Sequence, residues 1–214
     1  KAYSKKIINK KLYKDNKSIA FYEIAKIKQL SETVEALNYV QKSLKLRDNF
    51  SPYEKLYVKI LIDENKYLVA KKFLKKTWTY NSHLELKPLI VKLAEDSKES
   101  ILALVKYIVG SNNNEDSITL LVEVLILEKK WNEARNTLKV LLDIRPKKIV
   151  CLLMAKIEEG ENNNSQKINS WKIRSDKGAD SNTWICTVSK KQQNEWTSVS
   201  YGGYFNSLVW KQPN

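Results

Sequence analysis

The sequence predicts an all-α fold: helix-turn-helix pairs stacked into a solenoid, followed by a Trp-rich irregular C-terminal tail. Three observations predict it. First, the stretch from Trp131 to Glu161 opens on an aromatic, with Ala134 three residues on. Apolar positions follow at Leu138, Leu141 and Leu142, and Pro146 ends the run. A small residue beside an aromatic allows close helix–helix approach, and proline cannot continue a helix. Second, the same punctuation recurs upstream, where Tyr67, Ala70 and Leu74 stand as Trp131, Ala134 and Leu138 do. Third, Ala36, Ala70, Ala103 and Ala134 are spaced by 34, 33 and 31 residues. A repeating interval of this size marks an array of supersecondary units.

A period of about 34 is that of tetratricopeptide-type repeats, so residues 1–174 read as a solenoid of about five helix pairs. Residues 1–15 read as a charged helix with apolar positions at Tyr3, Ile7, Ile8 and Leu12. Residues 17–30 and 32–47 form the first pair, with Ser31 as N-cap of the second helix. Ser51-Pro52 starts the next helix, with Ser as cap and Pro at the first helical position. Its apolar face holds Leu56, Tyr57, Ile60 and Leu61, and its partner spans 66–77. The third pair is 83–95, with Pro88 near its start, and 98–109, ended by Gly110. The fourth is 115–128 and 130–144; residues 116–127 are apolar nearly all round and should be central. The fifth is 147–160 with a short partner at 165–174. Residues 175–214 read as a polar linker and a tail carrying Trp184, Trp196 and Trp210. That tail is too short to fold alone, so its aromatics should dock on the last helices.

Charge and composition exclude several classes of function. The chain has 214 residues with Lys+Arg 38 and Asp+Glu 24, so its net charge is 38 − 24 = +14. Arg occurs only at Arg47, Arg135, Arg145 and Arg174. Sites for phosphate or guanine favour Arg forks, so nucleic acid is not an expected partner. The Lys excess fits a solvated surface, or attraction to an anionic membrane surface or an acidic partner. Neither GxGxxG nor GxxxxGK[ST] occurs, so no phosphate-cradling loop of those kinds is present. Cys151 and Cys186 lie far apart, which fits a reducing compartment better than a disulfide framework. No run of about 18 apolar residues spans a membrane. The chain begins at Lys1 rather than Met, so a preceding segment is expected to be missing.

A resemblance rests on particular residues. W-N-E-A-R (131–135), R-P (145–146) and V-C-L-L-M-A-K-I-E-E-G-E (150–161) resemble the HemY family of tetratricopeptide proteins in its alphaproteobacterial form. Residues 70–86 (AKKFLKKTWTYNSHLEL) are similar to the family helix that ends in an Ala-Trp pair, with Thr77 in place of that Ala. Trp184, W-T-S-V-S (196–200), Gly203 and N-S-L-V-W-K-Q-P (206–213) resemble its Trp-rich C-terminal signature. The resemblance covers roughly residues 50–214. It implies repeats on the cytoplasmic face of the bacterial inner membrane, anchored by N-terminal helices that this sequence does not contain. It also implies a non-catalytic scaffold or regulator of late haem synthesis, with late haem-pathway enzymes among its partners. The flavin-dependent protoporphyrinogen oxidase that shares the name is excluded, because a flavin-binding glycine loop is missing. The chain departs from the family where Lys and Asn replace Ala and Arg. Related proteins carry a CxxC…CxxC zinc knuckle, but only Cys186 lies in this tail, with Ser189 and Ser200 where sulfur would be needed. Zinc takes about four N or S ligands, so a metal is not expected.

Candidate functional residues follow from these readings. A partner-binding groove would be lined by first-helix residues Tyr57, Lys59, Asp63, Glu123 and Glu128, with Arg135 beside them. Arg135 also has Glu158 and Glu161 as structural partners near in sequence, as does Arg145. His83, Cys151 and Met154 are the candidate haem ligands; the blander reading has His83 flanking a turn and the other two packing in a helix. Trp131 reads as an inter-helix filler, and Tyr201-Gly202-Gly203-Tyr204 as an aromatic turn. One His and no paired nucleophile and base leave no catalytic set. No cofactor is expected. The leading expectation is a protein-interaction scaffold; a tetrapyrrole-binding chaperone and a basic nucleic-acid-binding repeat protein are the alternatives. Oligomeric state is not read from the sequence.

Overall fold

A computed structural model describes residues 9–142, 146–178, 184–186, 192–193, 195–198, 200–201, 204–205 and 210–211, the last three pairs as backbone only. Among these residues the fold is all-α apart from short strands in the tail. The helices are α1 (Lys10–Lys28), α2 (Thr33–Leu46), α3 (Ser51–Asp63), α4 (Tyr67–Tyr80) and α5 (Lys87–Ser97). They continue as α6 (Ile101–Val109), α7 (Glu115–Leu127), α8 (Trp131–Leu138), α9 (Lys148–Glu161) and α10 (Ser165–Asp176). The even-numbered helices begin at 33, 67, 101, 131 and 165, so their starts step by 34, 34, 30 and 34. Three residues into each stand Ala36, Ala70, Leu104, Ala134 and Ile168, all buried. Ala103, expected to hold that place, is exposed. The second interval is one residue longer than the alanine spacing implies and the third one residue shorter, so Leu104 takes the buried position.

Local chemistry explains the ends. A residue of positive φ stands two positions before α3, α4, α8 and α10: Asn49, Asn65, Lys129 and Asn163. Asparagine tolerates the left-handed region through its short polar side chain. Asn9, Ser100, Asn114 and Asn164 each accept a backbone N–H at their helix start. Gly110, at φ +58°, ends α6.

Several boundaries differ from the sequence expectation. Residues 10–28 form one helix, because neither Gly nor Pro interrupts it at the expected break. Ser31 lies in the turn, donating its N–H to the Lys28 carbonyl (3.1 Å), and Glu32 holds the N-cap position without a side-chain bond. Phe50, not Ser51, holds the N-cap position of α3. The α8 helix ends at Leu138 and tightens into a 3₁₀ turn over Lys139–Leu141. Residues 1–8 and Arg145 lie outside the described residues.

The chain divides into two units, and the division falls inside α4. The first unit comprises Lys1–Phe73 with Asn182–Asn214. In it α1 packs along α2, and α2 against α3. Strand β1 (Trp184–Cys186) pairs antiparallel with β2 (Gln192–Gln193) and β5 (Trp210–Lys211). Strands β3 (Ser200–Tyr201) and β4 (Tyr204–Phe205) pair antiparallel with each other, and β4 packs against α1.

The described tail therefore does not form a separate appendage on the last helices. Trp184 and Cys186 are buried with Phe50 and Tyr53, and Tyr22, Leu44 and Trp196 close over them. The ring of Phe50 meets Trp184 (5.9 Å) and Trp196 (5.1 Å) edge-on. Phe50 and Tyr53 put an aromatic surface at the start of α3, and edge-to-face packing suits tryptophans to cover it.

The second unit is Leu74–Ser181. Its central helix is α7, which packs against α6, α8 and α9, while α9 carries α10. Trp78 is fully buried and its Nε1–H donates to Ser117 Oγ (2.8 Å). Between α8 and α9, the Trp131 ring fills the space that a side chain at Gly160 would occupy. No described helix is long and apolar enough to cross a membrane.

Candidate functional site

The residues nominated for a groove fall in both units, and each unit is described by itself. In the first, Tyr57 is a core residue. Its ring packs edge-on against Phe73 at 4.7 Å, and its hydroxyl accepts from Gln41 Nε2 (3.2 Å). It therefore lines no groove, whereas Lys59 and Asp63 are exposed on α3. The remainder of α3 is buried almost all round, because both the neighbouring helices and the tail cover it.

In the second unit, Glu123 pairs with Lys87 (2.7 Å) and Glu128 with Lys130 (3.0 Å). Arg135 is committed to α9: it donates to Glu158 Oε1 (2.6 Å) and, through Nε, to Glu161 Oε2 (3.1 Å). The hydrogen bond from Arg135 holds the Glu158 carboxyl below its ordinary value. Arg135 is thus a clamp between α8 and α9, not a groove residue. His83 is buried beside the 3₁₀ turn Leu84–Leu86, and its carbonyl accepts from the Leu86 N–H (3.2 Å). Burial, with Glu115 adding to it, raises the nearby Asp116 carboxyl, while His83 and Lys147 act in the opposite sense. Cys151 and Met154 are buried in the packed face of α9, and the Cys151 thiol lies 4.0 Å from the Pro146 carbonyl. Burial pushes the Cys151 pKa up. Among the described residues, His, Cys, Asp and Glu form no group of three or more that could hold a metal ion.

Two surfaces of the first unit were not legible as sites in the sequence. One is an apolar edge. Gln29 Nε2 donates to Asp63 Oδ2 (3.3 Å), which sets the α1–α2 turn beside the α3–α4 turn. Around those turns Ile27, Leu30, Val34 and Leu68 are 70%, 90%, 73% and 76% exposed. Val34 and Leu68 are 34 residues apart, so each stands one residue into its helix; that spacing was the available signal.

The other surface is a ladder of lysines and rings across α1 and α2. Lys17 Nζ lies over Tyr13 (5.6 Å) and Phe21 (5.7 Å), and Lys42 Nζ over Phe21 (5.8 Å) and Tyr39 (4.9 Å). Phe21 and Tyr39 pack at 5.9 Å. Tyr13, Lys17 and Phe21 recur every four residues, which puts them on one helical face. On the buried side of the same helix, Ser18 is hydrogen-bonded. Ser18 Oγ donates to the Asp15 carbonyl (2.7 Å), so Tyr53, 2.9 Å away, is the donor to Ser18. Burial pushes the Tyr53 pKa up to about 12, against the Ser18 bond and Arg47. Burial, with Glu23 adding to it, also raises Tyr22 well above its ordinary value.

The aromatic turn at Gly202-Gly203, together with Ser189 and the side chains of Ser200, Tyr201, Tyr204 and Trp210, lies outside the described residues. No protein-family model and no curated protein matches the chain.

Proposed function

We propose that this chain is a non-catalytic protein-interaction scaffold built from tetratricopeptide-like repeats. Its partners are proposed to be late haem-pathway enzymes at the cytoplasmic face of the bacterial inner membrane. The observation that carries the binding role is the apolar edge of the first unit, where Leu30 and Leu68 stand almost fully in solvent beside each other's turns. Exposed aliphatic side chains grouped around one pair of turns favour a protein partner. The regular helix starts at 33, 67, 101, 131 and 165 support the repeat reading. The haem connection rests on the resemblance of residues 131–135, 150–161 and 196–200 to the HemY family. Long-range attraction from the net charge of +14 would favour acidic faces on those partners.

In-cell crosslinking and pull-down, with mass spectrometry of the recovered proteins, tests this reading. The comparison is Leu30→Asp with Leu68→Asp. Late haem-pathway enzymes should come with the wild type and fall at least about tenfold with the variant, as removing central apolar anchors does. Recovery of none of them, with a haem absorption band on the purified protein, would replace the scaffold by a tetrapyrrole chaperone. No observation favours that second reading: His83, Cys151 and Met154 are all buried.

A further inference from the structure

We infer that the lysine–aromatic ladder of α1 and α2 is a docking face for an anionic lipid surface. The charge on this face is positive, and among the described residues no ion pair engages its lysines. Lys10, Lys14 and Lys17 follow one another along α1, and Lys42 joins them from α2. Three carboxylates of these two helices and their turn are engaged elsewhere. Glu32 and Glu35 hold Lys28 (2.7 and 3.1 Å), and Glu23 holds Lys26 (3.1 Å). Asp15, two residues from Tyr13, is turned about 200° away around the helix, where it acts on Tyr53.

The shape and the apolar content fit the same occupant. Tyr13 and Ile24 are each 36% exposed on the outer side of α1. A convex helix ridge cannot enclose a peptide, but it can lie along a planar surface. Lys17 and Lys42 hold their ammonium groups over the rings, and lysines beside aromatic side chains are a combination that suits a membrane interface. Each such lysine near an anionic leaflet contributes attraction that adds to apolar insertion. The ring faces argue against single-stranded nucleic acid. Stacking needs bare aromatic faces, and those of Tyr13, Phe21 and Tyr39 already carry ammonium groups. A second copy of the chain fits less well, because a twofold contact would set this cationic face against itself.

Vesicle co-sedimentation of the whole chain tests the inference. Neutral phosphatidylcholine vesicles are compared with vesicles in which about a third of the lipid is phosphatidylglycerol. The wild type should partition at least about tenfold better into the anionic vesicles. Lys17→Glu with Lys42→Glu should abolish that preference, and Lys17→Arg with Lys42→Arg should keep it. Lys72→Glu with Lys76→Glu, an equal charge change on exposed positions of α4, should leave most of it. Where circular dichroism shows that the Glu pair has lost helix, Lys17→Gln with Lys42→Gln replaces it, with a several-fold loss expected. Equal partition into both vesicle types overturns the inference. So does an equal loss from the α4 pair, or capture of single-stranded RNA by a protein that ignores vesicles.

Discussion

Glu158 shows how one residue converts sequence proximity into a fixed contact. Its side chain is 3% exposed and lies 2.6 Å from Arg135 Nη1. Leaving a buried carboxylate without its donor is costly, so Arg135→Met should destabilise the protein by about 2–3 kcal/mol. The bond lowers the folded-state pKa of Glu158 below its ordinary 4.5. Its contribution is therefore complete above pH 4.5 and is lost as pH falls through the depressed value. Thermal melts at neutral pH should separate wild type from variant, and melts near pH 3 should bring them together. An undiminished gap in acid would mean that the Arg135 stem, not its charge, provides the stabilisation. The sequence exposed this pair because two rare features, an Arg in a Lys-rich chain and a Glu cluster one helix on, coincide. It hid the fate of Tyr57, because a tyrosine on an apolar face reads alike whether its hydroxyl meets solvent or Gln41.

At the scale of elements, the repeat was legible where a helix start carries a small residue and blurred where it does not. Ala36, Ala70 and Ala134 marked three starts, but the third repeat uses Leu104 and the fifth Ile168, which composition does not distinguish from ordinary core. The α8–α9 contact is a case where two weak signals join. Trp131 opens one helix, and Gly160 sits in the other with the indole where its side chain would be. In an open helix, Gly→Ala gains about 1 kcal/mol. Here the new methyl would drive the indole aside, and overpacking costs about 1–3 kcal/mol. Gly160→Ala should therefore lower the melting temperature in the wild type. In a Trp131→Leu background the same change should become neutral or stabilising, which a double-mutant cycle reads directly. Equal effects in both backgrounds would remove the indole from the account.

For the molecule as a whole, the sequence misjudged where the tail belongs. Chain order suggested the last helices, because a tail of tryptophans follows α10 and an open repeat end needs a cap. The deciding information is non-local: Trp184 is 134 positions from Phe50 in sequence, yet their rings meet at 5.9 Å. No period or composition encodes such a pairing. The contact makes the first unit depend on a strand from the far end of the chain, at a high loop-closure separation. Trp184 is almost fully buried, so Trp184→Ala should cost about 3–5 kcal/mol. The loss should be unequal. Amide hydrogen exchange should rise across α1, α2 and the start of α3, which share the aromatic cluster with Trp184, and remain near wild type in α7 and α9. A uniform rise would mean that the two units unfold as one cooperative body. A rise confined to α9 and α10 would return the tail to the last helices, where chain order alone had put it.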